Sequence, residues 1–107
     1  MRLTRGGDIA RVRARGTRVR GRLIELRVLD VAITTGRVGI VVPKHAHTAV
    51  ARNTVKRRIR EIIRDVWPLT RPGTEILVYA LPAVYRASFA RLCDEIRSLW
   101  PIAGKPA

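Results

Sequence analysis

Val55, Ile59, Ile62, Ile63 and Val66 recur at i, i+4, i+7, i+8 and i+11. At about 100° per residue they share one stripe, so the segment is an amphipathic helix rather than a strand. Arg52, Asn53, Lys56, Arg57, Arg60 and Arg64 belong to the same segment and fall within an arc of roughly 140° beside that stripe. Such a helix must bury one side and leave a dense positive face on another. Like charges at i,i+4 repel each other by about 0.2–0.5 kcal/mol per pair. An anionic partner removes that repulsion, and a phosphate backbone is the commonest one. The acids of this segment, Glu61 and Asp65, lie away from the basic arc, which is therefore not a neutralised face.

The charge of the whole chain points the same way. Its 107 residues suffice for one domain, 1–107, with a modest core and a short tail at 101–107. A hydrophobic content of 47% describes a folded chain, yet the net charge is +14, well beyond what solubility requires. Of the 22 cations all but Lys44, Lys56 and Lys105 are arginine. The planar guanidinium binds phosphate at two points and stacks on bases. A GC-rich coding sequence accounts for the arginine bias equally well, but not for the size of the charge. The composition favours a folded nucleic-acid binder.

Other classes find little support. One cysteine, Cys93, allows neither a disulfide framework nor a multi-cysteine zinc site. Its neighbours Phe89, Leu92 and Ile96 make it a core residue. No apolar run is long enough to span a membrane, and the basic start at Met1 has no apolar segment behind it. A soluble, reducing, cytoplasmic setting is expected. His45 and His47 have no carboxylate in their loop and read as surface residues, not metal ligands. Asp65, Asp94 and Glu95 read as solvent-side helix residues that temper basic neighbours, not as a metal-nuclease cluster. The chain has no Gly-rich phosphate loop and no credible catalytic set. Asn53 is the one base-reading amide near the arc, which argues against DNA. RNA binding would rest on phosphates, 2′-hydroxyls and exposed ends.

The remaining elements follow from periodicity and punctuation. Asp8, as an N-cap or first-turn acid, starts a short helix from Ile9 to Arg15, closed by Gly16. Leu23 to Leu29 alternates Ile24, Leu26 and Val28 with Glu25 and Arg27, a half-buried strand. Asp30 to Gly36 is a loop or short turn, and Arg37 to Val42 a second strand ended by Pro43. The long helix spans about Ala49 to Trp67, stopping before Pro68. Arg71-Pro72-Gly73 is a turn and Thr74 to Ala80 a third strand. Tyr85, Phe89, Leu92, Cys93, Ile96, Leu99 and Trp100 give the stripe of a last helix. The order is α-β-β-α-β-α, a two-layer α+β sandwich with a small sheet and a βαβ crossover between the second and third strands.

Residues 48–61, Thr-Ala-Val-Ala-Arg-Asn-Thr-Val-Lys-Arg-Arg-Ile-Arg-Glu, resemble the signature of the bacterial ribonuclease P protein component, N-A-V-x-R-N-R-[IV]-K-R-x-[IL]-R-E. The resemblance covers nearly the whole chain. Arg2-Leu3 with Asp8-Ile9 is similar to the family's opening R-L … D-F, Gly16-Thr17 to the end of its first helix, and Gly39 to Lys44 to its G-[LF]-x-V-S-K segment. The resemblance implies a ribosomal protein S5 domain 2-like fold with a left-handed βαβ crossover, where the usual rule expects a right-handed one. It implies the protein subunit of a ribonucleoprotein endonuclease that removes the 5′ leader of precursor tRNA. The RNA subunit carries the chemistry with magnesium, and the protein holds the leader between its first helix and its sheet. By position, Lys44, Arg52, Asn53, Lys56, Arg57 and Arg60 are implied RNA contacts.

Departures from the pattern are informative. Thr54 replaces the second Arg of R-N-R, Thr48 the Asn of N-A-V, Pro43 a Ser or Thr, and His45 a common Lys. The family places aromatic residues on its first helix and first strand, where this chain has Ile9, Arg13 and Arg27. Its leader cleft is expected to be more electrostatic and less aromatic, since arginine stacks in part and adds a phosphate contact. The alternative is a basic ribosomal or RNA-chaperone protein with no role in cleavage.

Overall fold

The computed structural model describes residues 6–31, 36–44 and 47–101. The expectations placed on Arg2-Leu3, on His45 and on the tail after Pro101 lie outside the described residues, as does the side chain of Asp8. The elements are α1 (Gly6–Arg15), β1 (Thr17–Arg20), β2 (Ile24–Asp30), β3 (Arg37–Val41), α2 (Ala49–Val66), β4 (Thr74–Ala80) and α3 (Phe89–Leu99). Short 3-10 turns follow α2 (Trp67–Leu69) and β4 (Pro82–Arg86).

The four strands form one sheet in the order β1-β2-β4-β3. β1 and β2 are antiparallel, β2 and β4 antiparallel, and β3 and β4 parallel. The parallel pair is joined through α2, so the expected βαβ unit is present. The fold is α+β, and its main core lies between the sheet and the pair α2 and α3. Val55, Ile59, Ile62, Ile63 and Val66 of α2 are all buried there, as periodicity requires. Leu92, Ile96 and Trp100 do the same from α3, against Ile24, Leu26, Ile76, Val78 and Ala80 of the sheet.

The helix ends have local causes. The Thr48 hydroxyl accepts the Ala51 N–H (3.1 Å) and caps α2, which explains why Thr serves in place of the family's Asn. The Ser88 hydroxyl accepts the Arg91 N–H (3.1 Å) and caps α3. α3 therefore starts at Phe89 rather than Tyr85, and Tyr85 belongs to the preceding turn. A side chain in the first turn sits at the rim of its helix, so Phe89 is 42% exposed rather than part of the stripe. α2 ends at Val66, and Pro68 is accommodated in the first turn of a 3-10 segment, where its missing N–H is no loss. Gly73 has φ of 69° in the turn before β4.

Three features depart from the sequence reading. β1 is a strand that periodicity did not place. Its residues Thr17-Arg18-Val19-Arg20 offer a single apolar side chain, Val19, to the core, and its arginines blunt a sheet edge. α1 begins at Gly6, so Asp8 falls in its first turn. The second face of β2 is partly covered. α1 lies across that face, with Val12 buried against Leu77 and with Ile9, Leu29, Val41 and Tyr79 around them. Glu25, expected outward, is consequently buried. Gly16 lets this packing close, because a Cβ there would meet the Val12 carbonyl at 2.5 Å and the Val28 nitrogen at 3.2 Å.

Candidate nucleic-acid interface

α2 presents its cations as the spacing demands. Asn53, Lys56, Arg57 and Arg64 are exposed, while Arg52 and Arg60 are half-buried. Among the described residues none of Arg52, Lys56, Arg57, Arg60 and Arg64 forms an ion pair; every pair involves other cations. The Arg52 Nε is buried with no hydrogen-bond partner. Lys44 is exposed in the connection ahead of Thr48, on the approach to this helix.

The sheet face under α1 treats its cations differently. Register places Arg18 and Arg20 of β1, Glu25 and Arg27 of β2, Glu75, Leu77 and Tyr79 of β4, and Arg37 of β3 on one surface. Glu75 is fully buried and pairs with Arg11 of α1 and with Arg37, whose Nε donates at 2.7 Å. Glu25 faces Arg27 at 3.3 Å and Arg18 and Arg20 at 3.8 Å each. Two carboxylates thus hold five arginines in place. The result is an ordered positive surface rather than a repelling one.

Of Ile9, Arg13 and Arg27, aligned to the family's aromatic places, the two arginines touch here and Ile9 lies in the apolar cluster of the same face. Ile9 is half-buried in the small cluster around Val12 and Leu77. The Arg27 Nη1 donates to the Arg13 carbonyl at 2.8 Å, tying β2 to the end of α1. The Arg13 Nε donates to the Tyr79 hydroxyl, and its guanidinium carbon lies 5.5 Å from the centre of the Tyr79 ring. Tyr79 is the functional candidate that the sequence reading missed. Alternation along β4 did separate it from Ile76, Val78 and Ala80. Only the pairing of Tyr79 with Glu25 on one side and Val41 on the other shows which groups share its face.

The described residues contain no group of three potential metal ligands. The His47 ring stacks on Tyr85, with centroids 3.7 Å apart. Asp65 and Asp94 are exposed. Glu95 is not the solvent-side acid expected, because it accepts the backbone N–H groups of Arg22, Leu23 and Ile24 at the β1–β2 turn. Cys93 is partly buried against the main core. No helix of the described residues is long and apolar enough to cross a membrane.

Comparison with known proteins agrees with this geometry. The family model described as Ribonuclease P matches residues 1–104. The chain is 35% identical over 100 residues to the ribonuclease P protein component of Pseudanabaena sp., covering 92% of this chain and 86% of that protein. It is 45% identical over 95 residues to the ribonuclease P protein component of Thermus thermophilus, covering 87% of this chain and 55% of that protein. The chain therefore spans about half the length of the Thermus relative. Among solved structures it is similar to the ribonuclease P protein of Staphylococcus aureus, with TM-score 0.84, 24% identity, and coverage of 92% and 90% of the two chains. The ribonuclease P protein of Thermotoga maritima gives TM-score 0.83 at 23% identity, with 94% of each chain covered. A sheet with α2 and α3 on one face, a cation-bearing α2 carrying the signature of residues 48–61, and a family match over nearly the whole length lead to one conclusion: this chain belongs to the ribonuclease P protein component family.

Proposed function

We propose that this chain binds the RNA subunit of ribonuclease P through α2 and contacts the 5′ leader of precursor tRNA through the groove between α1 and the sheet. The RNA subunit carries out hydrolysis with magnesium ions, and the assembly works in the cytoplasm. One observation carries the reading. The arginines around Glu25 and Glu75 have carboxylate partners, whereas among the described residues Arg52, Lys56, Arg57 and Arg60 have none. A row of unpaired cations on one helix flank is a surface that a polyphosphate neutralises, with release of counterions.

Lys44, Arg52, Lys56, Arg57 and Arg60 supply phosphate contacts in this assignment. Asn53, exposed on the same arc, supplies the one amide able to bond a base edge or a 2′-hydroxyl. Arg13 and Arg27 supply the cations of the leader groove, and Ile9 an apolar wall.

Reconstitution tests the proposal. The chain is mixed with a bacterial ribonuclease P RNA and a labelled precursor tRNA at limiting magnesium. The expected outcome is cleavage at the mature 5′ end at a rate well above that of the RNA alone, and no cleavage by the protein alone. Cleavage by the purified protein without RNA would overturn the assignment of chemistry to the RNA. Failure to stimulate any ribonuclease P RNA would favour a basic ribosomal or RNA-chaperone role.

A further inference from the structure

The family's usual rings are missing from the first helix and first strand of this chain, yet the groove there is not without a ring. Tyr79 stands on β4, between Glu25 of β2 and Val41 of β3, on the sheet face that α1 crosses. Both neighbouring strands hold its backbone. It is half-buried, packed at the edge of the cluster of Val12 and Leu77. Its outer partner is Arg13, which is exposed and comes from the other wall of the groove. Arg27, hydrogen-bonded to the Arg13 carbonyl and facing Glu25, closes the same spot from β2. One half-buried ring therefore meets the Arg13 guanidinium, with Arg27 bonded to the Arg13 backbone beside it. A phosphate can take the place of the Tyr79 hydroxyl as partner for Arg13, whose exposed side chain is free to swing outward.

We propose that Tyr79 is the base-stacking surface of this groove, taking over from the sheet the role of the rings absent at positions 9, 13 and 27. Arg13 covers the ring in the free protein. When an unpaired nucleotide enters, its base lies on Tyr79, and Arg13 turns to the base's outer face or to the adjoining phosphate. Every base offers a π-face, so such a contact holds single-stranded RNA without reading its sequence. The ligand class is an unpaired ribonucleotide segment. The proposal rests on the reading that the leader runs through this groove, and it moves the determinant of leader affinity to a residue that family alignment does not mark.

The test uses the holoenzyme assembled with a bacterial ribonuclease P RNA. The quantity measured is the affinity for precursor tRNA relative to mature tRNA at fixed salt. Tyr79→Leu keeps an apolar side chain against Leu77 and Val12 but removes the ring, and should lower that preference by about tenfold. Tyr79→Phe keeps the ring and loses the hydroxyl bonded to Arg13, and should preserve the preference. A precursor whose leader is abasic should bind the wild-type holoenzyme as weakly as Tyr79→Leu binds the intact leader, and Tyr79→Leu should then cause no further loss. Affinity for the RNA subunit should stay the same in both variants, which also reports on folding. If Tyr79→Leu leaves the preference intact while the wild type still favours precursor, the stacking role is wrong and the leader reading survives. If the wild-type holoenzyme assembles but shows no preference for precursor, the leader reading falls and this proposal with it.

Discussion

The Glu95 carboxylate, on α3, accepts the backbone N–H of Leu23 at 2.7 Å through Oε2, with the Ile24 N–H on the same oxygen at 2.8 Å. Its other oxygen takes the Arg22 N–H at 3.0 Å. A single side chain thus satisfies three donors at the turn between β1 and β2 and fastens the edge hairpin to the last helix. The close fit extends to Gly21, where a Cβ would come within 2.6 Å of that carboxylate.

Glu95→Ala should therefore cost roughly 2–4 kcal/mol, because the donors of Leu23 and Ile24, both buried residues, lose their acceptor. Glu95→Gln should cost less, since its amide oxygen still accepts. Equilibrium urea unfolding of the three proteins measures the difference. A loss below about 0.5 kcal/mol for the alanine variant would show that the hairpin does not depend on this anchor.

Glu75→Ala should be more damaging than its place on a strand suggests. The carboxylate is fully buried, and its departure removes the partner that Arg11 and Arg37 share. Breaking a buried pair costs about 3–5 kcal/mol, and the partial exposure of both arginines reduces this to roughly 2–3 kcal/mol. Thermal melting at low and high salt checks the argument. The loss should shrink as salt screens the two cations, and an unchanged loss would point to packing instead.

Replacing Arg52, Lys56 and Arg60 together by Ala should weaken binding to the ribonuclease P RNA and flatten its salt dependence by about one unit per lost contact. The fold should survive, since the apolar stripe is untouched. A small stability loss, about 1 kcal/mol or less, is expected from the stems of Arg52 and Arg60, which are half-buried. Filter binding across a salt series, with circular dichroism as control, gives both quantities. An unchanged slope in a folded triple variant would remove α2 from the interface.

Cys93→Ser should lower stability by about 1 kcal/mol and leave precursor cleavage intact below the melting temperature. The thiol is partly buried against the main core and accepts a hydrogen bond from the Arg97 Nε at 3.3 Å, which a hydroxyl can replace. The modest size follows from that partial exposure. Loss of cleavage by a fully folded variant would reveal a functional thiol.

Much of this molecule was legible from local sequence. The stripe from Val55 to Val66 set the buried side of α2 and, by exclusion, its basic flank, because helical geometry relates residues only a few positions apart. Leu92, Ile96 and Trp100 located the buried side of α3 in the same way, and alternation located β4. The signature of residues 48–61 brought the family with it. Phe89 escaped because periodicity cannot tell where a helix starts, and the Ser88 cap removes Phe89 from the stripe. β1 escaped because an edge strand with one inward side chain leaves almost no pattern.

The groove was decided by tertiary structure. Arg13 and Tyr79 are separated by 66 residues, Leu23 and Glu95 by 72, and Arg11 and Glu75 by 64. Nothing local couples such positions. They meet because strand register, chosen by burial of Ile24, Leu26, Ile76 and Val78 on one face, fixes which polar residues share the other. The chain by itself declared a basic helix and a family. Long-range packing alone determined which arginines have carboxylate partners, which among the described residues have none, and where the groove keeps its ring.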